Sequence, residues 1–174
     1  FTVIGTVGST ATELGMQFQS TPVGTAGAND WFEITGVQLE LGSVATTFTR
    51  TGGTIQGELA ACQRYYTRFV ADSAYGFLGS GVASSTTGAT MFTPAPVTMR
   101  TPPISIDYPT ISTIRYADGA NANALTSLGL DGNCSKNILA VTASSSGGGM
   151  AAGRGTWIQG NNSSTAYIGF SAEL

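Results

Sequence analysis

The chain has 174 residues, enough for one domain or one and a part, with 41% hydrophobic and only 10% charged residues, against about 25% charged in an ordinary globular protein. Its net charge is −3, with a single lysine, Lys136, which leaves no basic stretch to neutralise a run of phosphates and excludes a nucleic-acid partner. With no histidine in the chain, His-dependent triads and His-ligated metals are excluded too, and no apolar run approaches the roughly 18 residues of a membrane span.

The chain opens at Phe1, not Met, directly in strand-like sequence. This predicts a processed chain or the end of a longer polypeptide. FTVIGTVG (1–8) reads as a strand, and ELGMQFQS (13–20) puts Leu14, Met16 and Phe18 on one face. TPVGTAGAND is a loop. WFEITGVQLELG (31–42) reads as the best strand of this region. Phe32 and Ile34 share one parity, and Val37, Leu39 and Leu41 the other. The switch falls at Gly36, where either a bulge re-aims the side chains or both faces are buried.

TIQGELAACQRYYTRF follows a Gly pair. Leu59, Cys62 and Tyr66 fall at i, i+3 and i+7, and Ile55 extends that stripe backward. A helix over 55–64 is predicted, with Glu58 in its first turn and Arg64 in its last, as the helix dipole favours. Gly57 weakens it by up to about 1 kcal/mol relative to Ala. Cys62, between apolar neighbours, is expected as a buried free thiol. Leu59, Cys62, Tyr65 and Tyr66 either pack on their own domain or form an oligomer seam.

From Tyr65 the period returns to two. YYTRFVAD is a strand with Tyr65, Thr67, Phe69 and Ala71 on one side. AYGFLGSGVAS and TGATMFT form a hairpin. TPAPVTMRTPP (93–103), with four prolines, is an extended crossing segment that cannot occupy a sheet centre. ISIDY and TISTIRY are strands, LTSLGL is a short one, and NILAVTASS is a buried one. TWIQGN is short. TAYIGFSAEL closes the chain with Ile168, Phe170, Ala172 and Leu174 on one face, so the C-terminus is expected to be built into the fold. About eight strands in 110 residues predict an all-β protein whose C-terminal domain is an antiparallel sandwich or jelly roll.

Catalytic and metal readings are weak. A glycosidase needs two carboxylates facing each other across a cleft. Glu33 and Glu40 have opposite parity on a regular strand and read as strand-edge carboxylates, and Asp107 and Asp118 offer no clearer pair. The glycine-rich GSGVASSTTG and SSSGGGMAAGRG lack a terminal GK[ST] and precede no helix, so they are loops. Asp118, Asn121, Asn123, Asp131 and Asn133 could supply oxygen ligands, but the spacing lacks the closing Glu of a calcium loop. We therefore expect no catalytic residue, no metal and no cofactor. Aromatic rings stack on sugar faces, and Trp157 and Tyr116, flanking loops of the second domain, are the candidate ligand-binding residues; Trp31 is a weaker one.

WFEITGVQLELGSVATTF, followed by ELAACQRYY, resembles a segment shared by tail-fibre, appendage and other virion surface proteins of tailed bacteriophages. MRTPP (99–103) and the terminal FSAEL fit the same pattern. The resemblance implies that residues 1–50 are the last strands of a carbohydrate-binding-module-like jelly roll, that 51–66 are linker and short helix, and that 67–174 are a distal β-sandwich. Only about 50 residues precede the helix, so the first module is either truncated or completed by another chain. The resemblance further implies a non-enzymatic virion component, homotrimeric, assembled in the bacterial cytoplasm and used with other virion proteins for host-surface glycan attachment. A capsid decoration protein and a glycan-degrading hydrolase are the alternatives.

Overall fold

The computed structural model describes residues 2–21, 24, 31–50 and 52–173. The chain divides into two units, residues 1–50 and 51–174. Most of the 21–30 loop, and the Leu174 position of the terminal strand, lie outside the described residues.

The first unit carries no β-ladder among its described residues, so the strands expected over 1–8, 13–20 and 31–42 are not formed as paired strands. Alternation supplies a face but not a partner, and an unpaired strand leaves its amides and carbonyls to water. Leu14, Met16, Phe18, Ile34, Val37 and Leu39 are accordingly all exposed. The local order is polar. Glu40 accepts hydrogen bonds from the Thr46 amide (2.6 Å) and hydroxyl (2.7 Å), and Gln38 accepts one from the Thr49 amide at 2.9 Å. The Thr46 hydroxyl, then its amide, hold the Glu40 carboxyl below its ordinary value. Gly36 has φ +65, a conformation that disfavours side chains, but with no paired strand around it the expected bulge or two-faced burial is not formed.

The second unit opens with α1 (Ile55–Gln63), whose N-cap Thr54 accepts a hydrogen bond from the Gly57 amide at 3.0 Å. Glu58 sits in the first turn as expected. Gly57 has a packing reason: any Cβ there would overlap the Gly52 backbone. No residue of α1 is buried. Cys62 is a free thiol but an exposed one, correcting the expectation of burial, because too little of the helix is covered to hide its stripe. Tyr66 lies beyond the helix, so the predicted i, i+7 stripe stops at Cys62.

Ten strands follow among the described residues: β1 (Tyr66–Val70), β2 (Phe77–Ala83), β3 (Gly88–Pro94), β4 (Ser105–Asp107), β5 (Ile114–Ala117), β6 (Ala122–Ala124), β7 (Ser127–Leu130), β8 (Ile138–Ser144), β9 (Gly155–Gly160) and β10 (Tyr167–Ser171). They form two antiparallel sheets. One is β1-β10-β4, and the other is β6-β5-β9-β2-β3-β8-β7. Ile168 and Phe170 from the small sheet meet Leu78, Met91, Leu139 and Ile158 from the large one in one buried core. Each such side chain contributes about 1.5–3 kcal/mol by leaving water. The unit is thus an all-β antiparallel sandwich.

The proline-rich segment crosses between the sheets from Ala95 onward; its first two expected residues, Thr93 and Pro94, instead end β3, paired with β8. Ala95 and Met99 donate to the carbonyls of Asn137 and Lys136, and Ile104 donates to Ser171. Buried Met99 anchors it. The side chains of β10 alternate as predicted, with Ile168, Phe170 and Ala172 buried.

Cys134 is held at 3.1 Å by both the amide and the carbonyl of Ala140, and burial pushes its thiol pKa up. Titration with a thiol reagent is expected to modify Cys62 alone in the native protein and both cysteines after unfolding. Rapid native labelling of both would contradict this placement.

Candidate functional site

Side chains on one strand alternate between faces, so two large apolar residues in succession cannot both enter one core. Phe77-Leu78, Met91-Phe92 and Trp157-Ile158 are three such pairs on three strands. Leu78, Met91 and Ile158 are buried; Phe77 is 70% and Phe92 47% exposed, with Trp157 half-buried. Register brings the outward members together: Ser80 lies opposite Phe92 on one side and opposite Trp157 on the other, and Phe77 lies opposite Gln159. A register shift between Phe77 and Gly79 turns Phe77 toward the indole. Their rings meet edge to face, with centroids 6.0 Å apart.

These residues, with Pro94, line an open depression of about 370 Å³ on the outer face of the large sheet. None of its lining residues is acidic. The Trp157 indole N–H donates to Gln159 Oε1 at 2.8 Å, which fixes the ring and leaves its polar edge satisfied. The result is an aromatic platform on three central strands, bordered by the Ser80 hydroxyl.

Of the two rings predicted to contact ligand, only Trp157 is at this surface. Tyr116 is fully buried, and its hydroxyl is 2.5 Å from Ser145 Oγ. It faces inward because it pairs with Ile158, on the core side of β9, so it is a core residue and offers no ring to a ligand. Trp31 is exposed in the first unit. Phe77 and Phe92 were not singled out by sequence reasoning, although the consecutive apolar pairs were a legible signal.

The candidate oligomer residues divide. Leu59 is 55% exposed on α1. The Tyr65 ring lies 5.6 Å from the Arg100 guanidinium. Tyr66 belongs to the small sheet, where its hydroxyl donates to Asp107 at 3.3 Å. Burial, and then this bond, push its pKa up to about 12. Asp107 lies in β4 of the small sheet, whereas Asp118 lies in the turn after β5 of the large one, where it pairs with Arg154.

The oxygen-rich loops are occupied with their own backbone. Asp118 accepts from the amides of Ala120 (3.0 Å) and Asn121 (2.7 Å) and pairs with Arg154 at 3.1 Å. Asn121 and Asn123 donate to the carbonyls of Gly149 and Gly148. This network ties the 145–154 loop to the β5–β6 turn. The Asn121 amide holds the Asp118 carboxyl below its ordinary value of 3.8, outweighing burial, with Ala120 and Arg154 adding to it. A depressed folded pKa means that the stabilisation is present above the unfolded value and is lost as pH falls through the folded one. The protection of the Ala120 and Asn121 amides, measured as exchange relative to the intrinsic rate at each pH, is therefore expected to fall below about pH 4, and Asp118→Asn should remove that acid dependence. Protection that stays constant between about pH 5 and 2 would contradict the linkage.

Among the described residues no three acidic or cysteine side chains converge as metal ligands, and no helix is long and apolar enough to cross a membrane. Compared with known protein families, characterised proteins and solved structures, the chain matches none.

Proposed function

We propose that the chain is a non-enzymatic component of a bacteriophage virion, a fibre or appendage that attaches to host-surface glycan through the Trp157–Phe77 face. The observation that carries this reading is the aromatic platform on the outer sheet face. Exposed large rings grouped on a rigid sheet cost free energy in water unless something covers them. Ring faces with a hydroxyl at the border suit a pyranose, whose C–H face is apolar and whose rim is polar. The absence of acidic residues from the depression argues against a hydrolase there, which would need two carboxylates roughly 5–10 Å apart.

The chain acts as a homotrimer in this reading, together with other virion proteins. Support comes from α1, which exposes Ile55 and Leu59 and is too short to be stable without packing. Three copies of one weak site on one surface multiply affinity through effective concentration.

Two measurements test it. Light scattering of the native protein should give three times the 17.7 kDa chain mass, and a monomer would contradict the trimer. Virions lacking residues 67–174 should assemble but fail to adsorb. Loss of particle stability with normal adsorption would point to a decoration protein and overturn the attachment reading.

A further inference from the structure

The large sheet holds a cation with no counter-ion beside the aromatic platform. Arg115 lies opposite Gln159 on β5, and Gln159 lies opposite Phe77 on β2. The three side chains therefore form one row across the outer face, spanning two interstrand steps of about 4.8 Å. The Arg115 guanidinium sits over the Tyr75 ring, 4.4 Å from its centroid. Among the described residues it makes no hydrogen bond and no ion pair, and its Nε is buried without a partner. Burying a guanidinium nitrogen without an acceptor is costly, and such groups are nearly always satisfied.

Asp118, three residues along the chain, is engaged elsewhere, by Arg154 and by the amides of Ala120 and Asn121. The charge of the unit also permits an anion. Four of the ten acidic residues but only one of the seven basic ones precede residue 51, so the net charge of −3 belongs entirely to the first fifty residues and the sheet unit is neutral.

We infer that the platform takes an acidic saccharide, a pyranose chain carrying carboxylates. One ring stacks on Trp157 and Phe77, and a carboxylate of the same or the next residue pairs with Arg115, whose planar fork matches a carboxylate. Tyr75 holds the guanidinium in place by cation–π contact. This rests on reading the face as a glycan platform, and it adds the charge class of the glycan.

The test uses the full chain on an array of uronic-acid oligosaccharides, their carboxyl-reduced counterparts and neutral oligosaccharides. The inference expects binding to the carboxylated set, weakened at least tenfold by carboxyl reduction and by Arg115→Gln, and weakened by raising salt. The reduced glycans probe the same contact with the wild-type protein, so a variant that fails to fold does not decide the matter. Equal binding to acidic and neutral sugars, or a carboxylate preference untouched in folded Arg115→Gln, overturns the inference and leaves the glycan reading standing. Binding to none overturns the glycan reading and the inference with it.

Discussion

Tyr116→Ala is expected to destabilise the sheet unit by about 3–5 kcal/mol, the usual cost of deleting a fully buried aromatic side chain. Tyr116 has no exposed surface and packs in the core of the sandwich. Its loss opens a cavity on β5 beside Ile158, its partner on β9. It also removes the hydroxyl that meets Ser145, leaving a buried polar atom with one partner fewer. Tyr116→Phe isolates that second part and should cost only about 1 kcal/mol. Against a total stability of about 5–15 kcal/mol, the alanine variant should melt on the order of 10 °C or more below wild type. Thermal denaturation followed by circular dichroism decides the point. A shift of a degree or two for alanine would mean that Tyr116 is not the core residue its burial indicates.

Trp157→Ala and Phe77→Ala should each weaken glycan binding by about 10- to 100-fold, as truncation of a central aromatic contact residue commonly does. The stability effects should differ from the binding effects. Phe77 is mostly exposed, so its removal should change stability by no more than about 0.5 kcal/mol. Trp157 is half-buried and bonded to Gln159, so its removal should cost somewhat more. Affinity and melting temperature measured on the same variants separate the two readings of this face. A platform that serves only packing would lose stability at both positions and affinity at neither.

The legibility of the fold followed the physics of each segment. β10 was readable because Ile168, Phe170 and Ala172 alternate with polar or small residues, and one face is buried. The helix was readable from its apolar spacing and from Glu58 in its first turn. β6 was not, because Ala122–Ala124 has no side chain large enough to mark a face, and it exists through pairing with β5. The strands expected before residue 50 illustrate the converse. Val37, Leu39 and Leu41 alternate well, but a pattern cannot supply a neighbouring strand.

The site was half legible for a related reason. Trp157 was identified by residue type, and so was Tyr116, yet only register decides which of them faces outward. Phe77 and Phe92 carry the same information in their pairing with Leu78 and Met91, but it becomes spatial only once β2, β3 and β9 lie side by side. Arg115 gave no sequence signal at all, because an arginine without a counter-ion is recognised only by what surrounds it.

In the proposed function, the outer face around Trp157 and Phe77 attaches the particle to its host. Competition of purified protein with virion adsorption tests it most directly. Wild-type chain, added in excess, should slow adsorption, and folded Trp157→Ala chain at the same concentration should not. Equal inhibition by the two proteins, or none by either, would contradict the account.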